Sequence, residues 1–308
     1  MNNTAPAYNK EEKRVIGMDA GGTKTRAAAF DGNGTLLAEA VDGCGNLVLS
    51  YASAKSAICS AIRGVWTDTC EYIAVGAAGA SSGEMSERLS AELTAEFGVK
   101  TDVMSDAELA LTAAFGPSGD GMLVISGTGS VVFLRQNGTM IRSGGWGHIL
   151  GDGGSAYFTG LTALRTITSL RDRNEPDERL ERAVFDALNI GSISELVKYV
   201  YAPERTKADL ANIAPAIDAL EAEGHANAAD ILWKSADALS DDAAAVIRRS
   251  GVSSIDIALS GGHIHHSTAL RLNFEQTLRI KTAKNCRLNF RDDLPDPAYA
   301  AFRIRFDV

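Results

Sequence analysis

Several features that mark particular protein classes are scarce in this chain of 308 residues. It has only 4 cysteines and no C-x-x-C pair, which favours free thiols in a reducing compartment over a disulfide or zinc framework. The net charge of -9 argues against DNA or RNA as a partner, because binding a phosphate backbone requires a basic face. The sequence shows neither a membrane-spanning apolar run nor the apolar core of a signal peptide, so we expect a cytoplasmic protein with no membrane partner.

Residues 15–30 predict a β-hairpin closed by a glycine turn. The turn is Gly21-Gly22, where the missing side chains let backbone N–H groups approach an anion closely. Thr23 and Lys24 add a hydroxyl and a cation directly after it. Asp19 precedes the turn, and a carboxylate suits that position if a divalent ion lies between it and a phosphate.

Two interpretations of this segment stay open from its residues alone, a nucleotide-phosphate turn or a plain hairpin. The segment is not a P-loop, because that motif places Lys directly after the second glycine and Thr23 breaks the spacing. It is not a Rossmann fingerprint either, because the residues after Gly22 are strand-like rather than helical.

The segments that follow predict a mixed sheet with helices on its faces. Three strands joined by tight turns are followed by helix, strand, helix, strand and helix up to residue 115. This order, βββαβαβα, is typical of a ribonuclease-H-like α/β layer fold.

Residues 121–139 repeat the opening pattern about 105 residues further along the chain. Each copy has an apolar strand, a Gly/Thr turn, a second apolar strand and the tripeptide Asn-Gly-Thr, which begins at Asn33 and again at Asn137. Such an offset indicates a duplicated domain rather than a solenoid repeat. We therefore expect two ribonuclease-H-like domains, over residues 1–116 and 117–308. The second would carry a helical insertion, and its last segment could pack back on the first domain.

The duplication also predicts a binding site between the domains. Two glycine hairpins that face each other across a cleft can hold a polyphosphate from both sides. Closure of such domains about a hinge would exclude water from the reaction.

Further motifs follow the two turns in a characteristic order: Ser105-Asp106-Ala107 at a helix start, Gly145-Trp146-Gly147-His148 with Leu150-Gly151-Asp152 behind it, and Ser260-Gly261-Gly262. With the two hairpins they resemble the BadF/BadG/BcrA/BcrD ATPase family of the actin, sugar-kinase and Hsp70 superfamily. The resemblance runs from about residue 15 to residue 300 and is strongest with the N-acetylglucosamine kinase branch. The Gly-Gly-Trp-Gly-His loop is its most specific part, since glycine hairpins occur throughout the superfamily.

The resemblance implies a role for each matching position, and it implies a homodimer. Asp106 matches the catalytic aspartate, and Asp19 matches the residue that binds Mg²⁺ through water. The positions implied for ATP are Gly21, Gly22, Thr23 and Lys24, then Gly127, Thr128 and Gly129, with Gly261 and Gly262 under the adenosine and Ala211 near the base. The positions implied for the sugar are Asn46, Asp106, Ser130, Gly145, Trp146, Gly147 and Asp152.

Three of these residues also have a plain structural interpretation. Asp106, at a strand-to-helix junction, suits a base that accepts a hydroxyl proton, but helix N–H groups also favour a carboxylate there. Trp146 could cover a sugar face or belong to the core. Asp152 could bond sugar hydroxyls or form a turn.

The last third of the chain gives two further expectations. His263, His265 and His266 are expected to be solvent-exposed rather than metal ligands, because no Cys or carboxylate cluster accompanies them. Asp296-Pro297-Ala298 resembles the start of the family's final helix, but residues 303–306 are not the usual small ones, so a short helix or an extended tail is expected.

The leading functional hypothesis is an ATP-dependent kinase that phosphorylates an amino sugar: N-acetylglucosamine first, then glucosamine or N-acetylmuramic acid. Gly153 stands where the kinase branch commonly has Glu, so the choice among these sugars stays open. The alternative is an ATPase that activates an iron–sulfur 2-hydroxyacyl-CoA dehydratase-type partner. The second turn, however, lacks the Gly-Gly-Gln-Asp typical of such activators, and the cysteines show no pattern. A sugar-sensing module without catalysis is a third hypothesis, which the presence of Asp106 disfavours.

Overall fold

The computed structural model describes residues 13–22, 24–80, 83–282, 286–291 and 294–306. It divides into two compact units. The first contains the residues up to Asp120 and the end of the chain from Asp293, and the second spans Gly121–Asp292.

The first unit is a five-stranded sheet with helices on its faces. Its strands are β1 (Arg14–Ala20), β2 (Thr25–Asp31), β3 (Leu36–Asp42), β4 (Cys70–Ala77) and β5 (Lys100–Ser105), and its helices are α1 (Tyr51–Val65), α2 (Gly83–Phe97) and α3 (Asp106–Phe115). The spatial order is β3-β2-β1-β4-β5. The strands β1, β2 and β3 pair antiparallel, whereas β4 and β5 join β1 in parallel.

The second unit repeats this sheet. Its strands are β6 (Gly121–Ser126), β7 (Ser130–Gln136), β8 (Thr139–Gly144), β9 (Ser254–Ser260) and β10 (Arg287–Phe290). Their order is β8-β7-β6-β9-β10, with antiparallel pairs on the β8 side of β6 and parallel pairs on the other. The predicted duplication of a ribonuclease-H-like fold is therefore confirmed.

The helices of the second unit include a long insertion. They are α4 (Ala156–Asp172), α5 (Glu178–Leu188), α6 (Ile193–Val200), α7 (Lys207–Ala211), α8 (Ala214–Ala222), α9 (Ala226–Ser250), α10 (Gly262–His266) and α11 (Thr268–Thr282). In the duplicated order, α4 to α9 stand where the first unit has only α1. Among the described residues, none of the helices combines the length and the apolar content of a membrane span.

Apolar residues cover both faces of the first sheet, as the near-continuous apolar sequence of its central strands requires. On one face, Ile16 and Ile73 pack with residues of α1 and α2 such as Ile58 and Leu93. The other face packs against α3 and the end of the chain, and its core contains Val15, Ala28, Phe30, Tyr72, Leu109 and Phe302. The second unit has one core between its sheet and helices α9 and α11, and another among its inserted helices.

The end of the chain folds onto the first unit as a short 3₁₀ turn, Pro297–Tyr299, followed by helix α12 (Ala300–Phe306). Of the two expectations for this segment, the short helix is therefore confirmed. Gly17 of β1 allows the close approach, because a Cβ atom at that position would overlap the carbonyl oxygen of Ala298. Tyr299 also packs edge-on against Phe30 of β2, with ring centroids 5.4 Å apart.

Candidate functional site

The carboxyl ends of three parallel strands meet along one edge of the first sheet. Ala20 of β1 pairs with Ala77 of β4, which pairs with Ser105 of β5. Asp19 precedes the first member of this row, and Asp106 follows the last. The topology thus brings two predicted site residues to the edge of an open α/β sheet where ligands commonly bind.

Asp106 is the first residue of α3, and its exposed side chain is not needed as the helix cap. Ser105 Oγ accepts a hydrogen bond from the Glu108 N–H at 3.2 Å, and Glu108 Oε2 accepts one from the Ser105 N–H at 2.9 Å. This capping box satisfies the helix start. Asp106 Oδ1 accepts a single backbone bond, from the Ala107 N–H at 2.9 Å, so its other oxygen remains for a ligand.

Asp19 lies in a negatively charged environment. Burial raises the pKa of Asp19, and the neighbouring carboxylates of Asp106 and Asp296 raise it further, whereas Arg26 and Lys24 lower it. Arg26 is itself held by ion pairs to Asp296 and to Glu39. An excess of carboxylates over nearby cations favours the arrival of a positive ion at this edge.

We expect Asp19→Asn to raise the melting temperature of the metal-free protein at pH 7 by a few degrees. Because folding raises the pKa of Asp19, this residue stabilises the folded state when its carboxyl is protonated. That contribution is lost as the pH rises through the raised pKa. The measurement is thermal unfolding in EDTA, with the exposed Asp68→Asn as the matched control. A melting temperature of Asp19→Asn at or below that of the wild type would contradict the charge argument.

The glycine turn of the first hairpin is held by backbone bonds to the loop that carries Asn46. The Gly21 N–H donates to the Lys24 carbonyl, and the Gly45 N–H donates to the Gly21 carbonyl, both at 2.9 Å. Gly22 and Lys24 are exposed, and Thr23 lies outside the described residues. Asn46 Oδ1 accepts bonds from the Val48 and Leu49 N–H groups at 2.9 and 3.3 Å, so this oxygen orders the loop.

The corresponding turn of the second unit, residues 126–130, is hydrogen-bonded to another glycine loop, at Gly153 and Gly154. Ser126 Oγ donates to the Gly154 carbonyl and Ser130 Oγ to the Gly153 carbonyl, each at 2.8 Å. The Gly127 N–H donates to the Gly129 carbonyl at 2.9 Å. Ser130 is buried, and Thr128 at the tip is exposed.

The loop that contains Gly145, Trp146 and Gly147 follows β8 in the second unit. Both of these glycines have positive φ angles, 68° and 84°, which residues with a Cβ atom adopt only with strain. Trp146 is 66% exposed, so it does not belong to the core. The guanidinium of Arg142 lies 4.3 Å from the centre of its ring and covers one face.

Asp152 lies beside the second glycine turn and not at the surface. It is 3% exposed, and its φ of 58° is in the left-handed region. A Cβ atom at Gly129 would be only 2.9 Å from Asp152 Oδ2. That oxygen has no hydrogen-bond partner, and Lys207 Nζ is 3.6 Å away.

A cavity of about 460 Å³ opens in the second unit next to this turn. Four predicted nucleotide positions line it, Gly127, Thr128, Ala211 and Gly262. Sequence reasoning missed its other lining residues, Ala156, Asn212, Ala214, Pro215, Asp218, His263 and His266. Gly261 has a φ of 101°, and a Cβ there would overlap the Ser126 carbonyl, so this glycine lets the end of β9 approach the turn.

The expectation that all three histidines near residue 264 are solvent-exposed is wrong for His263. His265 and His266 are exposed, but His263 is buried, and its Nε2 lies 2.9 Å from Thr159 Oγ1. Thr159 Oγ1 in turn lies 2.7 Å from Ser235 Oγ. Thr159 belongs to α4 and Ser235 to α9, so the imidazole ends a chain of buried polar contacts that the local sequence pattern does not reveal. Burial lowers the pKa of His263 to about 4, so the ring is neutral at pH 7.

We expect His263→Gln to make the protein less sensitive to acid. An unfolded histidine has an ordinary pKa of about 6.5, so the stability that buried neutral His263 contributes above that pH is lost as the pH falls towards about 4. Glutamine keeps a polar group for Thr159 and does not titrate. Between pH 7 and pH 5, the free energy of unfolding of His263→Gln should fall by about 2 kcal/mol less than that of the wild type. Denaturant unfolding at the two pH values measures this, with exposed His265→Gln as the control. Equal losses in wild type and His263→Gln would contradict it.

The described part of the chain also lacks the usual side-chain site for a metal ion. Among the described residues there is no group of three or more His, Cys, Asp or Glu side chains placed to hold one. The carboxylates around Asp19 nevertheless suit an ion such as Mg²⁺, which keeps several waters and takes few protein ligands.

The two five-stranded units have one topology, each with a glycine turn after its first strand, and solved structures share this fold. A solved structure from Chromobacterium violaceum, named as a candidate N-acetylglucosamine kinase, matches with a TM-score of 0.72 at 24% identity, covering 94% of this chain and 98% of that one. A ROK family glucokinase from Streptomyces griseus, solved with glucose and AMPPNP, matches with a TM-score of 0.61 at 14% identity over 94% and 97% of the two chains. At these identities the likeness concerns the fold.

The chain belongs to the BadF/BadG/BcrA/BcrD ATPase family, whose sequence profile matches residues 16–285. Two relatives are named as kinases. One is an N-acetylmuramic acid/N-acetylglucosamine kinase of Clostridium acetobutylicum, 28% identical over 91% of this chain and 95% of that protein. The other is an N-acetyl-D-glucosamine kinase of Dictyostelium discoideum, 28% identical over 83% and 86%.

Proposed function

We propose that this protein is an ATP-dependent kinase that phosphorylates a hydroxyl group of an amino sugar. N-acetylglucosamine is the first candidate, and glucosamine and N-acetylmuramic acid are the others. The observation that carries the proposal is the cavity of the second unit, which joins the glycine turn after β6 to Ala211 and Gly262. Both relatives named above are kinases of such sugars.

In this proposal the second unit holds the nucleotide. Adenosine occupies the cavity, with Ala211, Gly261 and Gly262 beside it, and the phosphates reach the turn at Gly127, Thr128 and Gly129. Glycines at the turn expose backbone N–H groups to the phosphates. In the first unit, the turn of Gly21, Gly22, Thr23 and Lys24 is also proposed to bind phosphate, and its lysine carries a positive charge.

Asp106 acts as the general base. Its carboxylate accepts the proton of the sugar hydroxyl while the hydroxyl oxygen bonds to the terminal phosphorus and ADP leaves. Phosphoryl transfer requires mainly positioning and neutralisation of charge, so one well-placed carboxylate is sufficient. The exposed oxygen at the start of α3, which the capping box leaves unused, suits this role.

Asp19 would hold Mg²⁺ through water. When bound, the ion neutralises charge on the phosphate oxygens. The residues around Asp19 fit it, because an oxygen ligand with a raised pKa lies among other carboxylates. Arg26 keeps Asp296 engaged and so limits the number of free carboxylates near the ion.

The residues proposed to bind the sugar are Asn46 and Asp106 in the first unit, and Ser130, Gly145, Trp146, Gly147 and Asp152 in the second. Trp146 offers an open ring face, since Arg142 covers the other. Asp152 offers a buried carboxylate oxygen without a partner, which a sugar hydroxyl could satisfy.

The experiment is a coupled assay of ADP release with MgATP and a panel of N-acetylglucosamine, glucosamine, N-acetylmuramic acid and glucose. We expect release to depend on one of the three amino sugars and to exceed that with glucose. If no member of the panel stimulates ADP release, the proposal fails.

The alternative, an ATPase that activates an iron–sulfur partner, has no supporting contact among the described residues. An iron–sulfur cluster requires cysteine thiolates. Cys59 and Cys70 are buried, and burial raises the pKa of each thiol to about 11, which disfavours the thiolate. Iron analysis after anaerobic purification tests the alternative, and bound iron would revive it.

A further inference from the structure

We propose that Lys207 is an additional phosphate-binding residue and that its ammonium group contacts the terminal phosphates of the nucleotide. This inference rests on the proposed function, since it concerns the same glycine turn. It gives a role to a side chain that the motifs of the sequence did not single out.

Lys207 lies directly against the glycine turn of the second unit. A Cβ atom at Gly129 would be 3.1 Å from Lys207 Nζ, so the absence of a side chain at that position makes room for the ammonium. Gly129 lies in the turn between β6 and β7, the segment that the proposal assigns to phosphates. A lysine at such a turn supplies a compact positive charge where backbone N–H groups alone would supply only partial charges.

Lys207 forms an ion pair with Asp152 that is not a hydrogen bond. Asp152 Oδ2 is 3.6 Å from Nζ, which is close enough for an ion pair but too long for a hydrogen bond. A bound ligand would give both groups hydrogen bonds: phosphate oxygens would accept from Lys207, and a hydroxyl would donate to Asp152.

The state of Asp152 is an independent sign that a ligand belongs here. The side chain is more than nine-tenths buried, and Oδ2 has no hydrogen-bond partner. Its backbone is also held in the left-handed region, at a φ of 58°. A buried carboxylate oxygen without a partner is costly, and strained backbone concentrates at functional sites, so the two features together indicate a binding position.

The helix that carries Lys207 is fixed relative to the nucleotide cavity. Lys207 is the first residue of α7, and Ala211 at the other end of this helix lines the cavity. Asp209 Oδ2 accepts bonds from the N–H and Oγ1 of Thr206, at 2.7 and 2.8 Å, which holds the helix start. Gly160 of α4 allows a tight contact, because a Cβ there would overlap the Leu210 carbonyl. The ammonium is therefore placed by packing, although its side chain remains partly exposed.

The test compares the binding of ATP, ADP and AMP by titration calorimetry, without sugar, to wild type, Lys207→Met and Lys207→Arg. We expect Lys207→Met to bind ATP about tenfold more weakly and AMP within about twofold of wild type, since only the distal phosphates lose a charge-assisted bond. Lys207→Arg should keep ATP affinity within about threefold, because the charge remains. Lys234→Met is the matched control, since Lys234 also pairs with an aspartate, Asp230, on an exposed part of α9.

Equal ATP affinity in wild type and Lys207→Met would overturn the inference. An equal loss of AMP and ATP affinity would also overturn it, because it would show that Lys207 only supports the structure. If Lys207→Met does not fold, the pair Asp152→Asn with Lys207→Gln removes the buried charge together with the ammonium, and the same selective loss of ATP over AMP binding is expected. If the wild-type protein binds ATP but phosphorylates no sugar, the proposed function is refuted. The comparison of ATP with AMP binding then still tests the role of Lys207.

Discussion

Replacing Asp106 by asparagine is expected to lower the turnover number for the sugar about a thousandfold while leaving the affinity for ATP within about twofold of wild type. Asparagine has nearly the shape of aspartate, but its amide oxygen is far too weak a base to take the hydroxyl proton. The capping box of Ser105 and Glu108 stays intact, so α3 should begin at the same residue. Steady-state kinetics and calorimetry with ATP measure the two quantities.

Glu108→Gln is the matched control for this substitution. It lies two residues further along α3, and glutamine can keep the capping interaction. Its turnover should stay within about twofold of wild type. If Asp106→Asn retains a tenth or more of the wild-type turnover, Asp106 is not the base.

Replacing Gly17 by alanine is expected to lower the free energy of unfolding of the first unit by about 3 kcal/mol or more. The new methyl group would overlap the carbonyl oxygen of Ala298, and this oxygen is backbone, so no side chain can rotate away from it. Either β1 or the turn Pro297–Tyr299 has to move. The contact of Tyr299 with Phe30 would be disturbed in the same step.

Denaturant unfolding followed by circular dichroism measures the Gly17→Ala effect. Gly43→Ala is the control, because a Cβ at Gly43 would meet nothing within 4 Å. The control should change the free energy by less than about 0.5 kcal/mol. Equal stability of the two variants would mean that the end of the chain does not pack on β1 as described.

Much of the fold could be predicted from the sequence, because its signals are local. Alternating glycine turns and β-branched runs specify the two hairpins, and the repeated Asn-Gly-Thr turns at Asn33 and Asn137 reveal the duplication. The start of α3 is likewise predicted by the spacing of Ser105, Asp106 and Glu108. These features depend on residues that are neighbours in the chain.

The parts that the sequence did not reveal depend on contacts between distant segments. His263 is buried, and its partner Thr159, in α4, is 104 residues away. Lys207 and Asp152 are 55 residues apart, so no motif spacing connects them, and only the fold brings the ammonium to Gly129. The partner of Gly17 is at the other end of the chain.

Phosphorus NMR of one reaction mixture distinguishes transfer of the terminal phosphoryl group of ATP to an amino sugar from hydrolysis of ATP. With enzyme, MgATP and N-acetylglucosamine, and then with each of the other two amino sugars, we expect a sugar phosphomonoester that grows in step with ADP while inorganic phosphate stays constant. ADP accompanied only by inorganic phosphate, or no consumption of ATP with any of the three sugars, would contradict it.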